Sequence, residues 1–274
     1  MDLILDFHTH AFPEPLASRA IAHLEELGGI PSYTNGTVSG LQRSMKAAGI
    51  THAALCNIVV KPGQTKTVHE FSKSLKENQQ NSGIYPVTSL HPKEEHWKDW
   101  LKTIKEDGFA GIKLHPGYQQ FFINDPDMEK FYLEVFRNDL FILFHAGWDA
   151  GYPDPMHASP KRVYDILPVL EQGTTILAHF GGNMRPQQVI DLLCGSNVYF
   201  DTSYALGKIP LEDARKIISA HSVDKILFGS DCPWADQKEF VDYFTNTLAP
   251  GFLSREDSEK ILFGNGAKLL GIIE

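Results

Sequence analysis

Phe141-Ile142-Leu143-Phe144-His145-Ala146-Gly147 is a run of four apolar residues that ends in a metal-competent histidine and two small residues. The same grammar recurs along the chain. Apolar, β-rich runs lie at Leu3–Phe7, Ala53–Val60, Ile84–Leu90, Gly111–Leu114, Phe141–Phe144, Thr175–Ala178, Asn197–Phe200 and Lys225–Phe228. Nearly continuous apolar character is what parallel strands covered on both faces require. Between the runs, Thr65–Gln80, Glu94–Asp107, Asp125–Asn138, Pro160–Glu171, Pro186–Cys194 and Pro210–Ala220 have helical length, and several open with a helix-starting residue. Strands alternating with such helices predict βαβ units and a parallel sheet. From the third run onward the polar residues closing each strand are His91, His115, His145, His179, Asp201 and Asp231, spaced by 24, 30, 34, 22 and 30 residues. One βα unit takes roughly 30 residues. Eight units close into an α/β fold, the (β/α)8 TIM barrel, for which ~250 residues is typical, and this chain has 274.

The stretch from His10 to Ile50 exceeds one crossover and predicts two helices, near Leu16–Leu27 and Gly40–Ala48. Asp236–Thr247, Ser254–Phe263 and Ala267–Ile272 predict a helical C-terminal cover. No linker or short repeat interrupts the pattern, so 1–274 reads as a single domain. A net charge of −9 argues against nucleic acid and anionic membrane as partners. No apolar run approaches the ~18 residues of a membrane span. Cys56, Cys194 and Cys232 are scattered and odd in number, which predicts a reducing cytoplasm rather than disulfides. The start, Met1-Asp2-Leu3-Ile4-Leu5-Asp6, lacks the basic region of a signal peptide.

Asp6-Phe7-His8-Thr9-His10 is the densest signal. On a strand, residues two apart share a side, so His8 and His10 can grip one cation from the barrel mouth. His145, His179 and Asp231 each end an apolar strand at its C-terminal end, the rim on which barrel enzymes assemble their sites. Imidazole plus carboxylate without thiolate fits Zn²⁺, Mn²⁺ or Fe²⁺. Lys113 and His115 share the inward side of strand four. A buried lysine needs a partner, whether a rim carboxylate or a substrate acid. Asp201 offers an acceptor for a ligand histidine or a helix cap. Trp148, Asp149 and His157 lie after strand five, Arg185 after strand six and Lys61 after strand two; Arg185 and Lys61 are candidates for a substrate carboxylate. Tyr118, Phe121 and Phe122 can form an apolar wall. His23, His52, His69, His96 and His221 fall away from the rim. There is no phosphate loop and no GxSxG elbow.

The set HTH, LHP, GIKLHPG, FHAG, AHFGG, FGSDCPW and FGNGAKLLGI, in that order over nearly the whole chain, resembles the amidohydrolase superfamily. The amidohydrolase-related branch, which also holds non-oxidative decarboxylases, is the nearest in pattern. The resemblance implies metal ligands at His8, His10, His145 and Asp231, with Asp231 as general base. It implies that His179 binds a second metal or polarises a substrate carbonyl. It further implies a carboxylated Lys113 bridging two metals, where a lysine of strand four is so modified. His91 and His115 would face the pocket and, with Arg185 and Trp148, contact substrate. The expectation is therefore a zinc-dependent hydrolase, with one or two ions, cleaving a C–N or C–O bond of a small carbonyl substrate. The alternatives are decarboxylation on the same site and a binding protein without turnover. A nuclease of the TatD-like kind is disfavoured, because Lys113 stands in the region of that branch's strand-four Glu. The resemblance also allows a homodimer.

Overall fold

The computed structural model describes residues 3–273; Met1, Asp2 and Glu274, which include the start of the stretch weighed as a leader, lie outside them. Eight parallel strands hydrogen-bond in chain order: β1 Leu5–Thr9, β2 His52–Cys56, β3 Ile84–Ser89, β4 Gly111–Leu114, β5 Phe141–Phe144, β6 Thr175–Leu177, β7 Tyr199–Asp201 and β8 Ile226–Leu227. The segment following β8 returns to β1 through Phe7 N–H to Phe228 O (2.8 Å), Asp231 N–H to His8 O (2.8 Å) and His10 N–H to Cys232 O (2.6 Å). These bonds bring the sheet round into a barrel. Each predicted run overlaps one strand, β1 and β7 running on past it to Thr9 and Asp201, and helices cover the outside.

Leu5, Phe7, Ala54, Cys56, Val87, Phe141, Leu143, Ile176, Ala178 and Leu227 plug the barrel interior. A larger apolar layer fills the space between strands and helices. Helices Glu14–Gly28 and Val38–Ala48 occupy the long first crossover. Pro126, Pro160 and Pro186 each take the first turn of their helices, where a missing N–H costs nothing.

Other boundaries also differ from the sequence expectation. β2 stops at Cys56 rather than Val60, because Ser89 Oγ accepts the Val59 N–H and Gln64 Oε1 accepts those of Val60 and Lys61. The helix expected over Glu94–Asp107 begins at Trp97, since His96 takes a left-handed φ of 56°. The C-terminal cover runs from Gln237–Tyr243 into π-helical Phe244–Leu248, and from Arg255–Glu259 through π-helical Lys260–Gly264 into Asn265–Leu269. Among the described residues no helix is long and apolar enough to cross a membrane, and Cys56, Cys194 and Cys232 are free thiols.

Candidate metal centre

The site begins with an irregularity in β1. Asp6 opposes Ala53 but Thr9 opposes Leu55, so one extra residue is accommodated. Phe7 packs in the barrel plug, yet its neighbour His8 faces Lys113 and Asp201. A regular strand sends neighbours to opposite faces; a bulge re-aims them.

Hydrogen bonds fix the tautomers of the two β1 histidines. His8 Nδ1 lies 2.8 Å from Asp201 Oδ2 and His10 Nδ1 lies 2.7 Å from the Cys56 carbonyl. Both partners only accept, so each Nδ1 carries the proton and each Nε2 presents a lone pair. Asp231 Oδ1 sits 3.5 Å from His8 Nε2 and 3.2 Å from His10 Nε2. These ligand atoms all lie within 4.8 Å of one another. Two ring nitrogens and one carboxylate converging in this way fit a divalent ion.

His179 stacks on His8 with ring centres 5.3 Å apart. Its Nδ1 gives a proton to the Ser203 carbonyl (2.9 Å), and its Nε2 lies 3.0 Å from His145 Nδ1. His145 thus reaches the first group through His179, while its Nε2 is buried with no partner. That nitrogen groups instead with His115 and Asp149. Lys113 is buried, with Nζ 3.2 Å from His8 Nε2. Asp201 orients His8 and also takes the backbone N–H groups of His179 and Ser203; the residues after it form a turn rather than a helix, so it is an acceptor for the ligand histidine and not a helix cap.

Burial sets the charge states. It pushes His8 down to about 4 and His145 well below the ordinary histidine range, and it lowers His115 and Lys113. Burial acts to raise Asp201 and Asp231 as well, but neighbouring His8, with Ser203 at Asp201 and His10 at Asp231, outweighs it and holds both below the usual carboxylate range. His8, His115 and His145 are therefore lone-pair donors, and Asp201 and Asp231 are ionised. Asp231 and His179 adopt left-handed φ values of 75° and 60°. Such strain in non-glycine residues costs about 1–3 kcal/mol each and collects at functional sites.

Asp231, His179, His145 and Asp149 open into a cleft of about 480 Å³ walled by Tyr118, Trp148, Tyr204, Trp234, Leu24 and Ile30. Sequence reasoning found Trp148 and Tyr118 but gave no role to Tyr204, to Trp234 at the end of the FGSDCPW motif, or to Leu24 and Ile30. It also missed exposed Lys208, whose Nζ lies 3.3 Å above the Tyr204 ring. His115 lines a smaller adjoining cleft. Arg185 is not brought to either cleft, and its guanidinium turns to the Met184 carbonyl. His91 accepts the Lys93 N–H and lines neither. Lys61 is exposed. Phe122 stacks on His157 under the Arg162 guanidinium, outside the main cleft.

The family model described as amidohydrolase matches residues 5–272. The chain belongs to the amidohydrolase family. No curated protein matches it by sequence. Among solved structures, the amidohydrolase is similar to an uncharacterized TIM-barrel protein of Bordetella bronchiseptica (20% identity, 98% of each chain covered, TM-score 0.75). It is similar to a probable 2-pyrone-4,6-dicarboxylic acid hydrolase of Acinetobacter baumannii with citric acid bound (19% identity, 99% of this chain and 100% of that one, TM-score 0.68). It is also similar to a dihydroxybenzoic acid decarboxylase of Polaromonas with bound manganese (17% identity, 99% and 98% covered, TM-score 0.71). At these identities the likeness is one of fold.

Proposed function

We propose that this amidohydrolase hydrolyses a C–N or C–O bond in a small carbonyl compound such as a lactone, ester or cyclic amide. The observation that carries the reading is the convergence of His8 Nε2, His10 Nε2 and Asp231 Oδ1, with the second nitrogen of each ring committed to a fixed acceptor. A divalent ion held there, zinc by preference for this donor set, supplies Lewis acidity and brings the pKa of water to about 7. His8, His10 and Asp231 hold it, and His145 and His179 stand beside it. Asp231, ionised and opening on the cleft, takes the proton of the attacking water and returns it to the leaving group. His179, its ring held by the Ser203 carbonyl at Nδ1, would offer its Nε2 lone pair as a further ligand beside the ion. Lys113, kept towards its neutral form by burial, is the species that condenses with CO2; once carboxylated, it adds an anionic ligand beside His8. Trp148, Trp234, Tyr118 and Tyr204 favour a flat substrate. The free thiols and acidic surface suit a cytoplasmic enzyme of small molecules, and a homodimer is its proposed form.

A second reading, non-oxidative decarboxylation, is favoured by one observation: the aromatic wall carries a cation, Lys208 on Tyr204, as a ring slot with a carboxylate clamp requires. A panel of lactones, N-acyl compounds and aromatic acids, scored for proton release against CO2 release, tests both. Proton release without CO2 is expected. CO2 release installs the second reading, and no turnover from metal-loaded protein removes both in favour of a binding protein.

A further inference from the structure

The first crossover leaves the barrel at Phe12 and returns beside it: the Phe12 N–H bonds the Gly36 carbonyl at 2.8 Å, and Phe12 pairs with Thr37. Between these two points runs the helix Glu14–Gly28. Ala17, Ile21, Leu24 and Gly28 fall on one face of it, spaced by four, three and four residues. The two halves of that stripe do different things. Ala17 and Ile21 are the buried residues of the helix, and Ile21 packs so closely on Gly36 that a β-carbon there would stand 2.4 Å from Ile21 Cγ1. Leu24 and Gly28 are half-buried and, with Ile30, line the cleft instead. We propose that residues 13–32 are a flap that gates this cleft, opening to admit substrate and laying Leu24 and Ile30 against it on closing. The proposal rests on the reading of the cleft as the substrate's place.

The tip of the flap is tied to itself. Glu25 Oε1 accepts the Ser32 N–H and hydroxyl, each at 2.7 Å, and the Gly29 N–H caps the helix on the Glu25 carbonyl at 2.8 Å. The Tyr33 N–H, 2.7 Å from the Pro233 carbonyl, pins the return limb. Across the cleft the tip meets the loop after β5 through apolar contact. A β-carbon on Gly28 would lie 3.6 Å from that of Ala150, and one on Gly151 would lie 3.1 Å from the Leu27 side chain. Among the described residues no hydrogen bond or ion pair joins 13–32 to that loop.

The opposite bank is anchored. Trp148 N–H bonds the Asn183 carbonyl, Asn183 Nδ2 bonds the Trp148 carbonyl at 2.8 Å, and Asp149 Oδ1 takes the N–H groups of Gly151 and Tyr152 at 2.9 and 3.0 Å. The flap is therefore the side that moves, because an element with few buried apolar contacts opens at lower free energy than the core. Movement has a use. Asp231, His145 and His179 line the cleft yet are only 8, 9 and 2% exposed. Parting Gly28 from Ala150 widens the approach to all three.

Hydrogen exchange and a covalent lock test the flap. In wild type the amides of Glu14–Gly28 should exchange about 100-fold faster than those of the next helix, Val38–Ala48; equal rates overturn the flap. The Gly28–Ala150 approach is that of a disulfide, whose β-carbons lie about 3.5–4.5 Å apart, so Gly28→Cys/Ala150→Cys should crosslink on oxidation. Thiols that stay free show that the two banks do not meet, which also overturns the proposal. In the crosslinked, Co²⁺-loaded variant, release of cobalt to EDTA should slow at least about 10-fold against the same protein reduced with dithiothreitol. Turnover of any lactone, N-acyl compound or aromatic acid that wild type consumes should fall and recover in parallel. A confirmed crosslink that changes neither cobalt release nor turnover removes the gate and leaves the proposed hydrolase standing. If wild type consumes none of these compounds, the proposed hydrolase falls and cobalt release alone decides the gate. Should the double variant fail to fold, the wild-type exchange rates decide.

Discussion

Asp201 is fully buried and accepts four hydrogen bonds at once: from His8 through Nδ1, from the backbone N–H groups of His179 and Ser203, and from the Ser203 hydroxyl. A carboxylate does this because it only accepts. Asparagine of the same shape has one accepting oxygen and turns an NH2 group towards at least one donor. Asp201→Asn is therefore expected to weaken metal binding by about 10–100-fold through loss of His8 orientation, and to cost about 1–3 kcal/mol of stability. A chelator-competition titration and a urea curve read the two effects; unchanged affinity would mean that His8 does not need its acceptor. Asp231→Asn separates chemistry from architecture. The amide keeps one oxygen near His8 and His10 but cannot take a proton, so kcat should fall by about 10²–10⁴ on any substrate the panel yields, with KM little changed. A variant of full activity would place the base elsewhere.

Elements explain why some of this was legible and some was not. Strands buried on both faces print themselves as apolar runs, and a polar residue ending such a run is at the rim almost by definition. That is why His91, His115, His145, His179, Asp201 and Asp231 could be named from spacing, and His8 and His10 from their positions two apart on the first run. The bulge in β1 has no local signature, and neither does the pairing of the loops after β5 and β6. There Gly147 N–H bonds Ala158 O, Trp148 N–H bonds Asn183 O and Asn183 N–H bonds Ala146 O. That pairing is a long-range backbone event, and it places Trp148 and Asp149. Gly147 has φ 88°, and a Cβ there would stand 2.1 Å from Asn183 N. Gly147→Ala is accordingly expected to displace the loop, lowering stability by about 1–3 kcal/mol and lowering activity more than its melting temperature suggests. Parallel melting and rate measurements check this. The helix Leu211–His221 makes a pH prediction. His221 stacks on Phe200 at 3.8 Å and gives its Nε2 proton to the Val198 carbonyl, and burial pushes its pKa down to about 4 against that bond. The unfolded chain takes up a proton near pH 6.5 that the folded state refuses until about pH 4. Stability is thus complete above pH 6.5 and falls as pH drops through that window, by up to about 3 kcal/mol. His221→Gln should flatten this part of the profile, measured by denaturation at stepped pH; an unaltered slope would assign it to other groups.

At the scale of the whole molecule, the metal and the fold are one equilibrium. The barrel encloses carboxylates that Lys113 alone does not balance, and an ion that binds only the folded chain shifts the folding equilibrium towards it. At an ion concentration 100-fold above the dissociation constant, the shift is about 2.7 kcal/mol. For a chain of this size each kcal/mol moves the melting temperature by about 2–4 °C, so chelation should lower it by about 5–10 °C. Adding back zinc or manganese should restore it. The decisive control is His10→Gln. Because His10 lies at the rim with its Nδ1 proton on the Cys56 carbonyl, glutamine keeps a donor there and the fold should survive. If the centre on His8, His10 and Asp231 is the stabilising one, this variant melts at the low temperature whether or not metal is present. A variant that still rises with zinc as far as wild type does would show that the stabilising ion sits on other residues, and His8, His10 and Asp231 would lose their assignment.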